Sequence, residues 1–271
     1  MSTKGVYTAL SGAMAQSQRL DTIANNLANV NTPGFKKDQQ VFKEYLTANE
    51  KPPSVIQVPR IPASVESFYD MQGGDKSFVD SAGTFTNFSQ GSLKSTGNPM
   101  DVAIDGNGFF EIATPQGVKY TRLGAFKLDG NGQLVTKDGH PVLKASPEGT
   151  DPAARTFRVA GEAPIVITDS GDVFEGQNNL GRLALIDVQD KDTLNKVGGS
   201  LYEFKSNARP EVVNVANPSL KQGFVEMSNV NIVQEMTDMI STTRTFESAQ
   251  KAIQAYDSMA DKLINVVGSI K

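Results

Sequence analysis

Residues 4–36 read KGVYTALSGAMAQSQRLDTIANNLANVNTPGFK, and how this stretch runs and stops decides how the rest of the chain is read. Apolar residues recur at Val6, Leu10, Ala13, Leu20, Ile23 or Ala24, Leu27 and Val30. Steps of three and four place such residues on one stripe of an amphipathic helix. The spacing predicts a helix from Lys4 to about Val30, roughly 40 Å long at about 1.5 Å per residue. The stop is written in Asn31, Thr32, Pro33 and Gly34. Asparagine is a poor helix former, Pro33 biases Thr32 away from the helical region, and Gly34 is free to turn.

The other end carries a longer periodic segment, residues 231–270. Asn231 followed by Gln234 is a variant of the reciprocal helix cap, and Glu235 is well placed against the helix dipole. Ile232, Met236, Met239 and Ile240 follow, then Phe246, Ala249, Ile253, Tyr256, Ala260, Leu263, Val267 and Ile270. From Phe246 onward the steps alternate three and four, which is a narrow heptad seam. No proline interrupts it, and its one glycine is Gly268. Such a helix reaches about 60 Å. Neither helix is apolar all round, so each needs a partner along one stripe, and the obvious partner is the other.

Between Gly91 and about Phe224 short apolar or alternating runs are punctuated by Asp-Gly, Asn-Gly and Pro-containing turns, which is the grammar of antiparallel strands. The expected fold is α+β: long N- and C-terminal helices forming a paired, coiled-coil-like core, with a central antiparallel β-rich module. The expected division is 1–36 for the first helix, 37–90 for an extended linker, 91–222 for the β-rich module and 223–271 for the C-terminal helix. The linker reading rests on Pro52, Pro53, Pro59 and Pro62, with Phe68, Tyr69, Phe85 and Phe88 as anchors. A second hinge is expected between Pro210 and Gly223.

Composition removes several classes of function. The formal net charge is -4 and no basic run exceeds Lys36-Lys37, so nucleic acid and anionic membrane surfaces are not expected partners. With no cysteine there is no disulfide, thiolate metal site or cysteine nucleophile. No apolar run approaches the roughly 20 residues of a membrane span. Residues 1–20 lack the pattern of a cleaved signal peptide, so a cytoplasmic address is expected unless export needs no such signal. A hydrophobic content of 38% suits a chain of thin modules or one that hides surface by assembling.

Candidate chemistry is thin. The single histidine, His140, sits between Gly139 and Pro141 with no second histidine to help it, so it reads as a turn residue. Asp129-Gly130-Asn131-Gly132 starts like a calcium loop, but the closing glutamate position falls on His140; hairpin turns are the better reading there. Asp169-Ser170-Gly171-Asp172 fails in the same way. Gly106-Asn107-Gly108 lacks the third glycine and following helix of a dinucleotide site. Asp101 and Asp105 could be paired carboxylates of a hydrolase, but nothing orients them. No catalytic, metal-binding or cofactor-binding residue is assigned, and no cofactor is expected.

Asn25, Asn26, Asn29 and Asn31 crowd the end of the first helix. Amides set among Ile23, Ala24 and Leu27 are expected to bond backbone or side chains of another helix when buried in an assembly. The expected assembly interface is Leu10, Leu20, Ile23, Asn25, Asn26, Leu27, Asn29, Met236, Ile240, Phe246, Ile253, Tyr256, Leu263 and Val267. Asn31, Pro33 and Gly34 form the helix stop and turn.

Three stretches also resemble a known family. Residues 20–36, LDTIANNLANVNTPGFK, are similar to the N-terminal signature of flagellar rod and hook proteins. Residues 223–247, from Gly223-Phe224-Val225-Glu226 through Arg244-Thr245-Phe246-Glu247, resemble that family's C-terminal signature, and residues 95–110 with Tyr120-Thr121-Arg122 its β module. The resemblance implies an axial structural subunit, not an enzyme, that polymerises through paired terminal helices into a hollow torque-transmitting shaft. It implies a place in the basal-body rod crossing the periplasm, reached through the flagellar type III export apparatus. The implied partners are copies of itself, other rod proteins and the hook-side rod. Size and a single β module exclude the hook protein; the residues after Tyr45 and Met236-Thr237-Asp238-Met239-Ile240 favour the proximal rod over the distal rod. The alternative of another class is a β-rich secreted ligand-binding or calcium-binding protein.

Overall fold

A computed structural model describes residues 4–47, 76–147, 150–161, 163–205, 212–215 and 218–268. The chain forms two compact units, one of residues 1–24, 39–84 and 236–271, the other of residues 25–38 and 85–235. The fold is of the α+β class.

In the first unit, helix α1 (Lys4–Ala28) contributes all but its last turn, and helix α2 (Ile232–Gly268) all but its first. Ala13, Ala15 and Ile23 of α1 are buried, whereas Tyr7, Leu10 and Met14 form an exposed row at steps of three and four. On α2 the covered face runs through Met239, Thr242, Phe246, Ala249, Ile253 and Tyr256. These alternate three and four, the register of the seam read from Phe246. The helices touch where the Tyr256 ring lies over Gly5, so that a Cβ added to Gly5 would meet the Tyr256 hydroxyl at 2.8 Å. Met236 and Ile240 are exposed. The side chains of Leu263 and Val267 lie outside the described residues.

The stretch read as a linker carries strands at both ends. Strand β1 (Asp38–Thr47) pairs with β2 (Lys76–Thr86) in a two-stranded sheet. Phe68 and Tyr69 lie outside the described residues, as does part of the hinge expected at 210–223.

The second unit is antiparallel throughout its described pairings. Among its described residues it holds fifteen strands, numbered on from β2 in chain order. Its main sheet has six strands in the order β13-β14-β6-β5-β12-β15, with ranges Leu194–Gly198, Leu201–Phe204, Gly117–Thr121, Phe109–Thr114, Leu185–Val188 and Val212–Asn214. A three-stranded sheet joins β9 (Ile165–Ile167), β10 (Asp172–Glu175) and β11 (Asn178–Arg182). Two short pairs matter below: β16 (Leu220–Gln222) on β4 (Val102–Ile104), and β17 (Phe224–Glu226) on β3 (Leu93–Ser95). Phe110, Ile112, Phe157, Val142 and Leu183 lie at the centre of the apolar core and are fully sealed from water.

The turn chemistry read from sequence is visible in the hairpin of β7 (Phe126–Leu128) and β8 (Leu134–Thr136). Asp129 Oδ1 accepts from the Asn131 and Gln133 amides at 2.9 and 2.7 Å, spending its carboxylate on the turn. In the same manner Asp172 is tied to Ser170 and, across the β10–β11 register, to Arg182. The Arg182 and Ser170 hydrogen bonds hold the Asp172 carboxyl below its usual 3.8. A depressed folded value means that the unfolded chain binds this proton more readily. The contribution of the pair is therefore present at neutral pH and lost as pH falls through the folded value. A carboxyl NMR titration should place the Asp172 midpoint below 3.8, and Arg182→Met should move it upward; a native midpoint at or above the usual value would contradict the tie.

Candidate functional site

The second unit gathers the last turn of α1, the stop that follows it, strand β17 and the first turn of α2 around a set of buried polar side chains. The construction starts at the helix stop. The Asn29 amide is shared between the Asn25 and Asn26 carbonyls at 3.2 Å each, and Asn29 Nδ2 also takes the Asn25 carbonyl at 2.9 Å. These bonds tighten the last turn, so α1 ends at Ala28 and not at Val30. Gly34 then adopts φ +70°, and its amide donates to the Glu226 carbonyl at 2.8 Å. Here a Cβ would stand 2.7 Å from the Leu123 nitrogen, so only glycine permits the approach.

Glu226 is the centre of the set. Its Oε1 receives Lys36 Nζ at 2.5 Å and the Gly91 amide at 2.9 Å, and its Oε2 receives Arg122 Nη1 at 3.2 Å. The three charged side chains are sealed from water, at 0–1% exposure. Lys36 also donates to the Ser89 carbonyl at 2.7 Å, and Arg122 stacks over Phe109 at 5.4 Å. Burial pulls the Lys36 ammonium below its usual value, against the opposing pull of the Glu226 charge. Tyr202, fully buried against Phe88 and Phe109, is pushed upward by the same loss of water.

A second shared carboxylate lies at the start of α2. Asn231 caps that helix, its Oδ1 accepting from the Val233 and Gln234 amides at 3.0 and 3.3 Å. The buried Glu235 pairs with Lys37 and accepts from Asn26 Nδ2 at 3.3 Å. Asn26 itself grips the backbone of Asp38 from both sides: Oδ1 accepts its amide at 3.0 Å and Nδ2 donates to its carbonyl at 2.8 Å. Asn229 works alike, accepting the Lys37 amide at 2.8 Å and donating to the Asn87 and Ser89 carbonyls. Lys196 closes the outer side, with bonds of 2.9 Å to the Lys36 carbonyl and Asp38 Oδ2, its ammonium over the Phe35 ring at 3.7 Å.

This arrangement is a clasp. Its carboxylates are occupied by cations and amides, leaving no free base beside a nucleophile. Among the described residues, no group of three or more histidine and carboxylate side chains could hold a metal. Asp101 is held by Thr96 and Asn98, Asp105 by Lys221, and the His140 amide donates to Thr136 Oγ1 in its turn.

Of the residues singled out in sequence, the clasp includes Asn26, with Asn25 and Asn29 shaping the turn beside it and Gly34 fitting beneath. Asn26 is buried, Asn25 and Asn31 are exposed. Leu20 and Leu27 are half-buried. Sequence reading missed Lys36, Lys37, Asp38, Arg122, Glu226, Asn229 and Glu235 as one cluster. The available signal was opposite charge inside two apolar runs, Gly34-Phe35-Lys36 and Phe224-Val225-Glu226, though nothing local pairs positions 190 residues apart.

The clasp joins two segments that match family models. The description "Flagella basal body rod protein" matches residues 6–36, and "Flagellar basal body rod FlgEFG protein C-terminal" matches residues 221–266. "Flagellar hook protein FlgE/F/G D1 domain" matches residues 103–175. The chain is 35% identical to the flagellar basal-body rod protein FlgG of Bacillus subtilis over 275 residues, covering 97% of this chain and 98% of the relative. It is 35% identical to FlgG of Borreliella burgdorferi, covering 94% and 96%. It is 33% identical to the rod protein FlgF of Mesorhizobium japonicum, covering 97% and 98%.

Removing the Glu226 carboxylate strands two buried cations, so Glu226→Ala should cost about 3–5 kcal/mol in urea denaturation. Replacing Lys36, Arg122 and Glu226 together by apolar residues of similar volume should cost far less, since no charge is left unpaired. Gly34→Ala should cost about 2–4 kcal/mol through strain and steric overlap. An unchanged midpoint for Glu226→Ala would remove the clasp from the account.

Proposed function

Because the chain belongs to the flagellar basal-body rod protein family, we propose that it is an axial structural subunit that polymerises through its terminal helices into a hollow, torque-transmitting shaft. One observation carries the mechanism. Each terminal helix has a covered face and, beside it, an exposed apolar row: Tyr7, Leu10 and Met14 on α1, and Ile232, Val233, Met236 and Ile240 on α2. Such rows are costly in a free chain and favourable once a neighbour covers them. Contacts of this heterologous kind extend without closing and give helical filaments.

Within the subunit the two helices pair as a coiled-coil-like core, a reading supported by Tyr256 against Gly5 and by the three-four alternation of α2. Leu20, Ile23, Leu27, Phe246, Ile253 and Tyr256 serve that pairing, with Leu263 and Val267 continuing it. Leu10, Met236 and Ile240 face neighbouring subunits. The partners are copies of this chain, other rod proteins and the hook-side rod. The chain reaches the periplasmic rod through the flagellar export apparatus without a cleaved signal, and its role involves no catalysis.

We assign it to the proximal rod, as FlgF, from Met236-Thr237-Asp238-Met239-Ile240 and the absence of a proline-glycine stiffening pattern after Tyr45. The distal rod, as FlgG, is the second reading, the name borne by the 35% identical relatives of Bacillus subtilis and Borreliella burgdorferi, while FlgG and FlgF relatives overlap at 32–33%. Complementation of strains lacking one or the other gene separates the two: restored motility in the strain lacking FlgF supports the first, and in the strain lacking FlgG the second.

Ile240→Asp and Leu10→Asp place a charge where a neighbour must be apolar. Both should abolish motility in a complemented strain while leaving the urea midpoint of the β-rich unit unchanged. Full motility of either variant would disprove the docking faces drawn here.

A further inference from the structure

We propose that Met14 and Met236 are a reversible oxidation site at which hydrogen peroxide or an organic hydroperoxide switches off assembly. The proposal rests on the reading of the helix rows as contact surfaces. Its starting point is the distribution of sulfur. The chain has no cysteine, so thioethers are its only oxidisable sulfur. Met14, Met236 and Met259 are 59%, 51% and 41% exposed, and all three lie on the terminal helices. The β-rich unit has its thioethers partly buried: Met100 packs against the main core and Met227 against the cluster of Leu123, Ala125 and Val225.

Position turns exposure into a switch. Met14 stands one turn beyond Leu10 and two beyond Tyr7 in the α1 row, and Met236 stands between Val233 and Ile240 in the α2 row. The thioether sulfur attacks the peroxide O–O bond and takes one oxygen; sulfur loses two electrons, the peroxide gains them, and water or an alcohol leaves. The product sulfoxide is polar and chiral. Its oxygen is a strong acceptor that the apolar side chains beside it, Leu10 on α1 and Val233 and Ile240 on α2, cannot serve, so covering it with such side chains leaves an unpartnered polar atom. The helix backbone is untouched, so the chain stays folded while its contact face fails. Methionine sulfoxide reductases, one for each epimer, restore the thioether. Subunits already in a polymer are shielded, so the switch acts on the free chain.

The test treats the full chain with dilute hydrogen peroxide, maps oxygen uptake by peptide mass spectrometry and measures self-association by sedimentation velocity. Met14 and Met236 should be oxidised well before Met100 and Met227. Oxidation should weaken self-association about tenfold or more, the change that one buried unpartnered acceptor brings. Treatment with both reductases should reverse it, and the Met14→Leu, Met236→Leu double variant should associate normally after peroxide. Even oxidation across all four methionines, undiminished association of the oxidised chain, or a double variant as sensitive as the native chain would each overturn the proposal. A native chain that stays monomeric at every concentration would sink both the assembly reading and the switch, whereas the oxidation order would still report which thioethers are reactive.

Discussion

One carboxylate, Glu226, sits between two buried cations, and the second unit is organised around satisfying it. Lys36 and Arg122 arrive from opposite ends of the local sequence, one just after the α1 stop and one just after β6. Each would carry a desolvation penalty of several kcal/mol if left alone. The Gly91 amide and the Ser89 carbonyl take up the remaining bonding capacity on either side of the pair. The Gly34 turn serves the same residue, since its amide donates to the Glu226 carbonyl at 2.8 Å while its backbone closes onto Leu123. Asn26 and Glu235 repeat the principle, with Lys37 as the cation.

The helices were legible because their information is local. The apolar stripes, the stop at Asn31 to Gly34 and the Asn231 cap place α1 and α2 within about two residues of their observed ends. Hairpins such as Asp129 to Gln133 were legible for the same reason, since the aspartate bonds its own neighbouring amides. Strands β1 and β2 were not. Val41 and Phe42 lie among Gln39, Gln40, Lys43 and Glu44, too weak an alternation to outweigh the prolines that follow, and their partner strand lies far along the sequence. The clasp was hidden by distance along the chain. Asn26 stood out as an amide among apolar neighbours, but its partners Asp38 and Glu235 gave no sign of themselves, and a lysine after a phenylalanine is unremarkable until a glutamate is found beside it.

The structure divides labour between its polar and apolar features. Buried charge fixes one set of chain segments with directional bonds that tolerate little displacement. Apolar rows on α1 and α2 remain open, and in the proposed rod they are where one subunit meets the next. A chain of modest hydrophobic content can afford a thin module if part of its apolar surface is covered only by its neighbours.

The most direct test is a cryo-EM map of the basal-body rod containing this chain, at a resolution that places side chains. The account predicts Tyr7, Leu10 and Met14, with Val233, Met236 and Ile240, buried against neighbouring subunits, and Lys36, Arg122 and Glu226 still joined within one subunit. Rows left facing solvent, or Glu226 paired to a different subunit's cation, would contradict it.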